Sequence, residues 1–189
     1  TTNIPFVSSD PPNYIYNSKI LQTTDDGYLV SGRLDNLFGS EKTVLMKSDP
    51  SGNIEWVNGF NHINQNIAIY DLKKNLENGY VISTGLGWGG GIMKLDAYGD
   101  TLWTRHFDDL QALFSVDNTL DSGYIAAGYT HFFVNSEIIL MKFNADGDTL
   151  WTRSYTISGM NNATAFVRQT SDGGYIITGT INAGIYMLK

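Results

Sequence analysis

An all-β fold made of four similar units is predicted by three features of the sequence. The first is a repeat, because related segments recur as TTDDGYLVSG, LENGYVISTG, LDSGYIAAG and TSDGGYIITG. The second is strand length, since apolar runs such as EIILMKF and YIITGTI end after seven residues. The third is composition, with 20 Gly and 13% aromatic residues, which suits short strands and tight turns better than amphipathic helices. Together they predict a four-bladed β-propeller with four antiparallel strands in each blade.

The phase of the repeat is marked by a lysine and a tryptophan. The lysine recurs at intervals of 47, 48 and 47 residues, at Lys47, Lys94, Lys142 and Lys189. A tryptophan follows three of these lysines by nine residues, at Trp56, Trp103 and Trp151. In the third unit this phase predicts strands over residues 113–119, 124–129, 137–143 and 149–155, joined by turns that contain Asp and Gly.

The two ends of the sequence suggest how the ring closes. The last unit stops at Lys189 after its third strand, and the chain opens with the extended apolar stretch TTNIPFVSS. We therefore expect residues 1–9 to complete blade 4, with Phe6 in the position of the tryptophan and no open sheet edge. One domain over 1–189 follows, with blades at about 18–60, 67–107, 111–155 and 163–189. Two chains sharing an eight-bladed ring, and a part of a longer array, are the alternatives.

Composition excludes several kinds of partner. The net charge is −7 and no cluster of Lys and Arg is present, which argues against nucleic acid and against insertion into a membrane. Without Cys there is no disulfide framework and no thiolate metal site. The three His residues have no spacing typical of zinc, so no metal and no cofactor are expected. A chain that starts at Thr1 is either a processed or a trimmed protein, and processing implies export.

The strings TSDGGYIITG and KLDAYGDTLW resemble repeats of secreted or surface-attached bacterial proteins of the Bacteroidota type. The resemblance covers nearly the whole chain, and it implies a β-propeller that is exported to the extracellular space or to the cell surface at the outer membrane. Such proteins often carry a lipidated Cys or a sorting domain, and neither is present in this sequence. The KLD-x-x-G-x-x-x-W segment is also similar to the blade motif of quinoprotein propellers, without residues that suggest a quinone site.

Most recurring residues have a structural explanation. The repeated tryptophans are expected to cover the gaps between neighbouring blades. The turns around Asp49, Asp96 and Asp146 contain clustered carboxylates, which could hold Ca²⁺, but Asx turns explain them more simply.

Charged residues also occur in the first strand of the units. The position seven residues before the repeated tyrosine is Leu21, Lys73, Asp117 or Arg168. These alternating charges predict ion pairs near the central channel. Propeller glycosidases place carboxylates on such inner strands, and only Asp71 and Asp117 fit that pattern here.

Candidate binding residues lie in the loops that vary between units, because variable loops on a rigid scaffold usually carry recognition. These loops gather aromatic and polar residues at Tyr14, Tyr16, Asp35, Phe38, His62, Trp88, His131 and Phe132. Aromatic and amide side chains suit a glycan or a surface-protein partner. The sequence therefore predicts a non-enzymatic, exported binding module. A scaffold subunit of an envelope complex is the first alternative, and a carboxylate-dependent hydrolase is the second.

Overall fold

A computed structural model describes residues 15–34, 42–60, 67–86, 89–130, 137–156, 165–181 and 184–189. Within these ranges the chain forms antiparallel sheets and no helix. A membrane-spanning helix is accordingly not found in this part of the chain. The chain divides into two compact units, residues 1–69 and residues 70–189.

Consecutive strands pair in chain order within each sheet, as in a propeller blade. The first sheet contains β1 (Ile15–Gln22), β2 (Tyr28–Leu34), β3 (Lys42–Ser48) and β4 (Ile54–Phe60). The second contains β5 (Ile67–Lys74), β6 (Tyr80–Leu86), β7 (Gly89–Leu95) and β8 (Thr101–Phe107). The third contains β9 (Leu110–Asn118), β10 (Tyr124–Thr130), β11 (Glu137–Phe143) and β12 (Thr149–Thr156). The fourth contains β13 (Phe166–Gln169), β14 (Tyr175–Ile181) and β15 (Gly184–Leu188).

The predicted strands of the third unit are confirmed to within one residue at every end except the start of the first strand. β9 starts at Leu110, three residues before the predicted start at residue 113. The reason is close packing: Leu110 pairs with Thr130, and both Leu110 and Ala112 are buried. Gly128 allows this approach, because a Cβ at that residue would lie 2.0 Å from the carbonyl oxygen of Ala112.

The third sheet has a hydrophobic cluster on each face. On one side Tyr124, Ala126, Ile139, Met141 and Phe143 pack with residues of β7 and β9 and with Val81 of the second sheet. On the other side Ile125, Ala127, Ile138 and Leu140 pack with residues of the fourth sheet, among them Val167 and Ile177. Alternate residues of β10 thus point to opposite faces, which is the arrangement of a strand buried on both sides.

Tryptophans of the outer strands pack across neighbouring sheets, as predicted. Trp103 of the second sheet contacts Tyr124 with a ring-centroid distance of 5.8 Å, and its indole nitrogen donates to the carbonyl of Ala145 at 3.3 Å. Trp151 of the third sheet lies 5.7 Å from Tyr175 of the fourth. The inter-blade role is therefore confirmed for these two residues, and for Trp56 it stays a prediction.

The turns that were candidate calcium loops are built by Asx hydrogen bonds. The backbone nitrogen of Asn53 donates to Asp49 Oδ1 at 2.8 Å, and that of Asp100 donates to Asp96 Oδ1 at 2.9 Å. In the third sheet Asn144 is the acceptor for the nitrogen of Asp148, at 2.8 Å. These bonds confirm the structural explanation of the turns.

In the first three sheets the repeated lysine is buried and paired with the turn between the first two strands of its own sheet. Lys142 Nζ lies 2.9 Å from a carboxylate oxygen of Asp121, and Lys94 Nζ lies 3.0 Å from Glu77. Hydrogen bonds from Thr119 and Lys142 lower the pKa of Asp121 to about 2. Burial lowers the pKa of Lys94, but the hydrogen bond to Glu77 and the electrostatic interactions with Tyr124 and Glu77 together outweigh it, so that the net pKa is raised.

Removing one of these carboxylates should cost stability only where the lysine is buried. The side chain of Lys142 is 4% exposed, and Asp121→Ala leaves it with the carbonyl of Phe143 as acceptor. We expect the free energy of unfolding to fall by about 1–3 kcal/mol in urea titrations. The matched control is Asp172→Ala, because its partner Lys189 is 62% exposed. Equal losses in the two variants would contradict the role assigned to burial.

Candidate functional site

The polar face of three inner strands forms the candidate site. Lys73 of β5, Asp117 of β9 and Arg168 of β13 occupy equivalent positions, and Asp71 and Ser115 lie two residues earlier on their strands. Because side chains two residues apart share one face of a strand, these groups lie on the same side of β5 and β9. All five residues belong to the second compact unit.

Asp71 is the centre of the polar contacts on this face. Its Oδ2 accepts hydrogen bonds from Ser115 Oγ at 3.0 Å and from the backbone nitrogen of Val116 at 3.1 Å. Its Oδ1 accepts from the backbone nitrogen of Leu72 at 2.9 Å. The side chain is 16% exposed, so this carboxylate is largely committed to joining β5 to β9.

Two cations flank the same carboxylate. Lys73 Nζ lies 3.6 Å from Asp71 Oδ1, and a guanidinium nitrogen of Arg168 lies 4.0 Å from Asp71 Oδ2. Arg168 also donates to Ser115 Oγ at 3.3 Å and to the carbonyl of Val167 at 2.6 Å. The predicted ion pairs are present, but their anion is Asp71 and not Asp117. Neither cation forms an ion pair with Asp117 in the described residues.

Asp117 instead faces a cleft of about 520 Å³ at the end of β9. Residues from three hairpins line this cleft: Leu76, Asp117, Asn118, Thr119, Leu120, Gln169, Thr170 and Ser171. Asp117 is partly buried, whereas Leu76 and Leu120 are 70% and 78% exposed. Among the described side chains and amides, none donates a hydrogen bond to the Asp117 carboxylate. A carboxylate of this kind is available to a ligand.

The cleft was not predicted from the sequence, because ligand recognition was assigned to the variable loops, which connect the strands at the other end from the uniform turns. The cleft lies at the turns that the repeat makes uniform, where Leu76 and Leu120 occupy equivalent hairpin positions. A signal was present in the sequence: an acidic residue stands at position 117, where the neighbouring strands carry Lys73 and Arg168. It was interpreted there as one partner of an ion pair.

The loop residues predicted to bind a ligand lie outside the described residues. This applies to Tyr14, Asp35, Phe38, His62, Trp88, His131 and Phe132. The backbone of Tyr16 pairs with that of Arg33 in the first sheet, and its side chain is not among the described ones. Their role in binding stays a prediction.

Comparison with known proteins relates the fold to glycoside hydrolases. No family model and no curated protein matches the sequence. An endo-arabinase from Bacteroides thetaiotaomicron has a similar structure, with a TM-score of 0.63, 13% identity and 96% of this chain covered. The structure is also similar to a putative exo-β-1,3-galactanase from Bifidobacterium bifidum, with a TM-score of 0.57, 10% identity and 88% coverage. A GH43 β-1,3-galactosidase gives a TM-score of 0.53, 10% identity and 93% coverage.

These neighbours have propeller-like folds, and the chain spans 77%, 62% and 42% of their respective lengths. At this level of identity the likeness shows an all-β, propeller-like fold. It also corrects two predictions: the non-enzymatic binding module and the absence of enzymatic activity are both contradicted, because the neighbours are hydrolases of glycans. The error arose because no catalytic motif stands out in the sequence. The absence of a local motif is a weak argument against an enzyme, because function depends on the site and not on the fold.

Asp71 and Asp117 should respond differently to the same substitution. Asp71→Asn removes the charge that Lys73 and Arg168 face, and it places an amide where Val116 donates. We expect the free energy of unfolding to fall by about 1–3 kcal/mol. Asp117→Asn, the matched control, should change it by less than about 0.5 kcal/mol, since no described group depends on that carboxylate. Chemical denaturation checks both, and an equal response would contradict the separation of roles.

Proposed function

We propose that this chain acts on a glycan and that hydrolysis of glycosidic bonds is its reaction. The observation that carries the proposal is the cleft beside Asp117, an open carboxylate on a sheet scaffold similar to those of glycoside hydrolases. A volume of about 520 Å³ lies within the usual range for small-molecule sites, roughly 300–1,000 Å³. The proposal assigns Asp117 to contact with the substrate and Asp71 to the scaffold.

The chemistry of the cleft suits a sugar. Leu76 and Leu120 offer apolar surface against which the C–H face of a sugar ring can pack. The carboxylate of Asp117 and the carbonyl oxygen of the Asn118 side chain are acceptors for hydroxyl donors. The surface-protein and envelope-complex partners of the sequence analysis have no comparable support. Export to the extracellular space or the cell surface remains part of the proposal, and it rests on the sequence resemblance.

A test of the reaction begins with the polysaccharides named by the neighbours. The purified chain should release reducing ends from at least one glycan of a panel that includes arabinan and β-1,3-galactan, because its fold is similar to those of an endo-arabinase and a galactanase. Asp117→Asn should raise KM, since that carboxylate contacts the substrate in the proposal. No release of reducing ends from either polysaccharide, or from a wider panel of glycans, would contradict hydrolysis.

Asp109→Asn is the matched control for this assay. It makes the same change of charge at an exposed residue just before the start of β9. At about 3.3 Å per residue, eight residues place it about 26 Å from Asp117. We expect its KM to equal that of the unmodified chain. An equal rise of KM in both variants would indicate a general effect of net charge.

We further propose that four blades form the fold and that residues 1–9 supply the fourth strand of the fourth sheet. β15 is an edge strand in the described residues, and its Ile185 and Met187 are 86% and 70% exposed. The lysine of this sheet, Lys189, is 62% exposed, whereas Lys142 is 4% exposed in the four-stranded third sheet. A further strand along β15 would pair with its free backbone groups and remove an exposed edge.

Deleting residues 1–9 should therefore lower stability and promote self-association through the β15 edge. Light scattering and chemical denaturation measure the two effects. Addition of the synthetic peptide TTNIPFVSS should reverse both, and the same peptide with Phe6→Asp is the control. A truncated chain that stays monomeric with an unchanged unfolding midpoint would contradict the closure.

A further inference from the structure

The two threonine hydroxyls of the cleft are committed to the turns that form it. Thr119 donates to Asp121, and Thr170 donates to Asp172 within the equivalent hairpin of the fourth sheet. Both aspartates also accept a lysine, Lys142 or Lys189, at 2.9 Å. These threonine hydroxyls therefore have no hydrogen left for a ligand and offer only their oxygen lone pairs.

One N–H of each amide side chain in the cleft is used in the same way. Asn118 Nδ2 donates to the carbonyl of Lys74 at 2.7 Å. Gln169 Nε2 donates to the carbonyl of Gly173 at 3.4 Å, while its Oε1 accepts from the backbone nitrogen of Leu120 at 2.7 Å. Among the described groups of the cleft, the Asp117 carboxylate, Asn118 Oδ1, the Ser171 hydroxyl and the second N–H of each amide stay open. The one charged group among them is an acceptor, Asp117, and it favours a ligand that carries N–H or O–H donors.

The charge of the cleft favours a cationic ligand. Among the residues that the structure describes, Asp117 is the one charged residue that lines the cleft. The nearest equivalent cations, Lys73 and Arg168, are both directed at Asp71, and the lysines behind the hairpins are held by turn carboxylates. Asp117 therefore has no counter-ion in the described part of the molecule. A cationic group on the ligand would supply one.

We propose that the sugar unit bound in this cleft is an amino sugar with a free ammonium group, and that Asp117 is its counter-ion. The inference rests on the proposed action on a glycan and names the class of its substrate. The ammonium provides N–H donors and a positive charge to Asp117, the ring hydroxyls donate to Asn118 Oδ1, and the C–H face of the ring packs on Leu120. An N-acetylated sugar lacks the charge and gains a bulky neutral group at the same position.

Calorimetry with two matched ligands tests the assignment. The probes are a tetramer of β-1,4-linked glucosamine and its fully N-acetylated counterpart, titrated into the full chain at low salt. We expect the free-amine tetramer to bind about tenfold more tightly, the effect of one charge-assisted hydrogen bond. In Asp117→Asn the preference should fall below about twofold. In Asp109→Asn it should stay near tenfold, which separates a local ion pair from attraction by net charge.

Three results would overturn the assignment. They are equal binding of the two tetramers by the unmodified chain, a preference that survives in Asp117→Asn, and equally tight binding of Nα-acetyl-lysine amide, which would show that any alkylammonium suffices. Binding is measured without turnover, so the two proposals fail separately. A retained preference without hydrolysis of any glycan contradicts the reaction, whereas hydrolysis of neutral glycans without a preference contradicts the amino sugar.

Discussion

A lysine paired with a turn carboxylate recurs in all four sheets that the structure describes, and in the first three sheets the lysine is buried. The lysine projects from the third strand of its sheet, and the carboxylate comes from the hairpin between the first two strands. Burying an ammonium group without a partner is costly, so the hairpin must close in the one geometry that brings its carboxylate to the lysine. In the first sheet Lys47 even binds two carboxylates, those of Asp25 and Glu55. The pair thus fixes each hairpin to its own sheet.

Much of this architecture could be predicted from the sequence, because each sequence repeat corresponds to one sheet. The interval between lysines gave the phase, and β11 (Glu137–Phe143) matches the predicted strand at both ends. The function of the lysine was not predicted, since it served only as a marker of phase. A signal existed, because an acidic residue precedes each repeated tyrosine by three residues, at Asp25, Glu77, Asp121 and Asp172. A buried lysine and a recurring acid are recognised as partners only when the register of the strands is known.

The candidate site was predicted less well, for a physical reason. Sequence analysis located charges on the inner strands and expected ion pairs, and the kind of interaction was right. Which anion they share depends on side-chain reach: Lys73 approaches Asp71 along its own strand and Arg168 approaches it from another sheet, although Asp117 occupies their own position in the repeat. Periodicity aligns residues in sequence, but it does not show which of two carboxylates a long cationic side chain reaches. The expectation of a non-enzymatic module was wrong as well, because it rested on the absence of a local catalytic motif.

The same turns that stabilise the sheets also determine what the cleft can recognise. Thr119 and Thr170 give their hydroxyl hydrogens to the aspartates that hold the lysines, so the structural pairs consume donors at the cleft wall. The acceptor that stays open, Asp117, stands at a position that varies between the units and takes no part in these pairs. The repeated turns therefore form the walls of the cleft, whereas Asp117, at a position that varies between the units, supplies its charge. A binding site can arise in such a fold by changing one residue of an inner strand, because the uniform hairpins around it already leave unpaired acceptors.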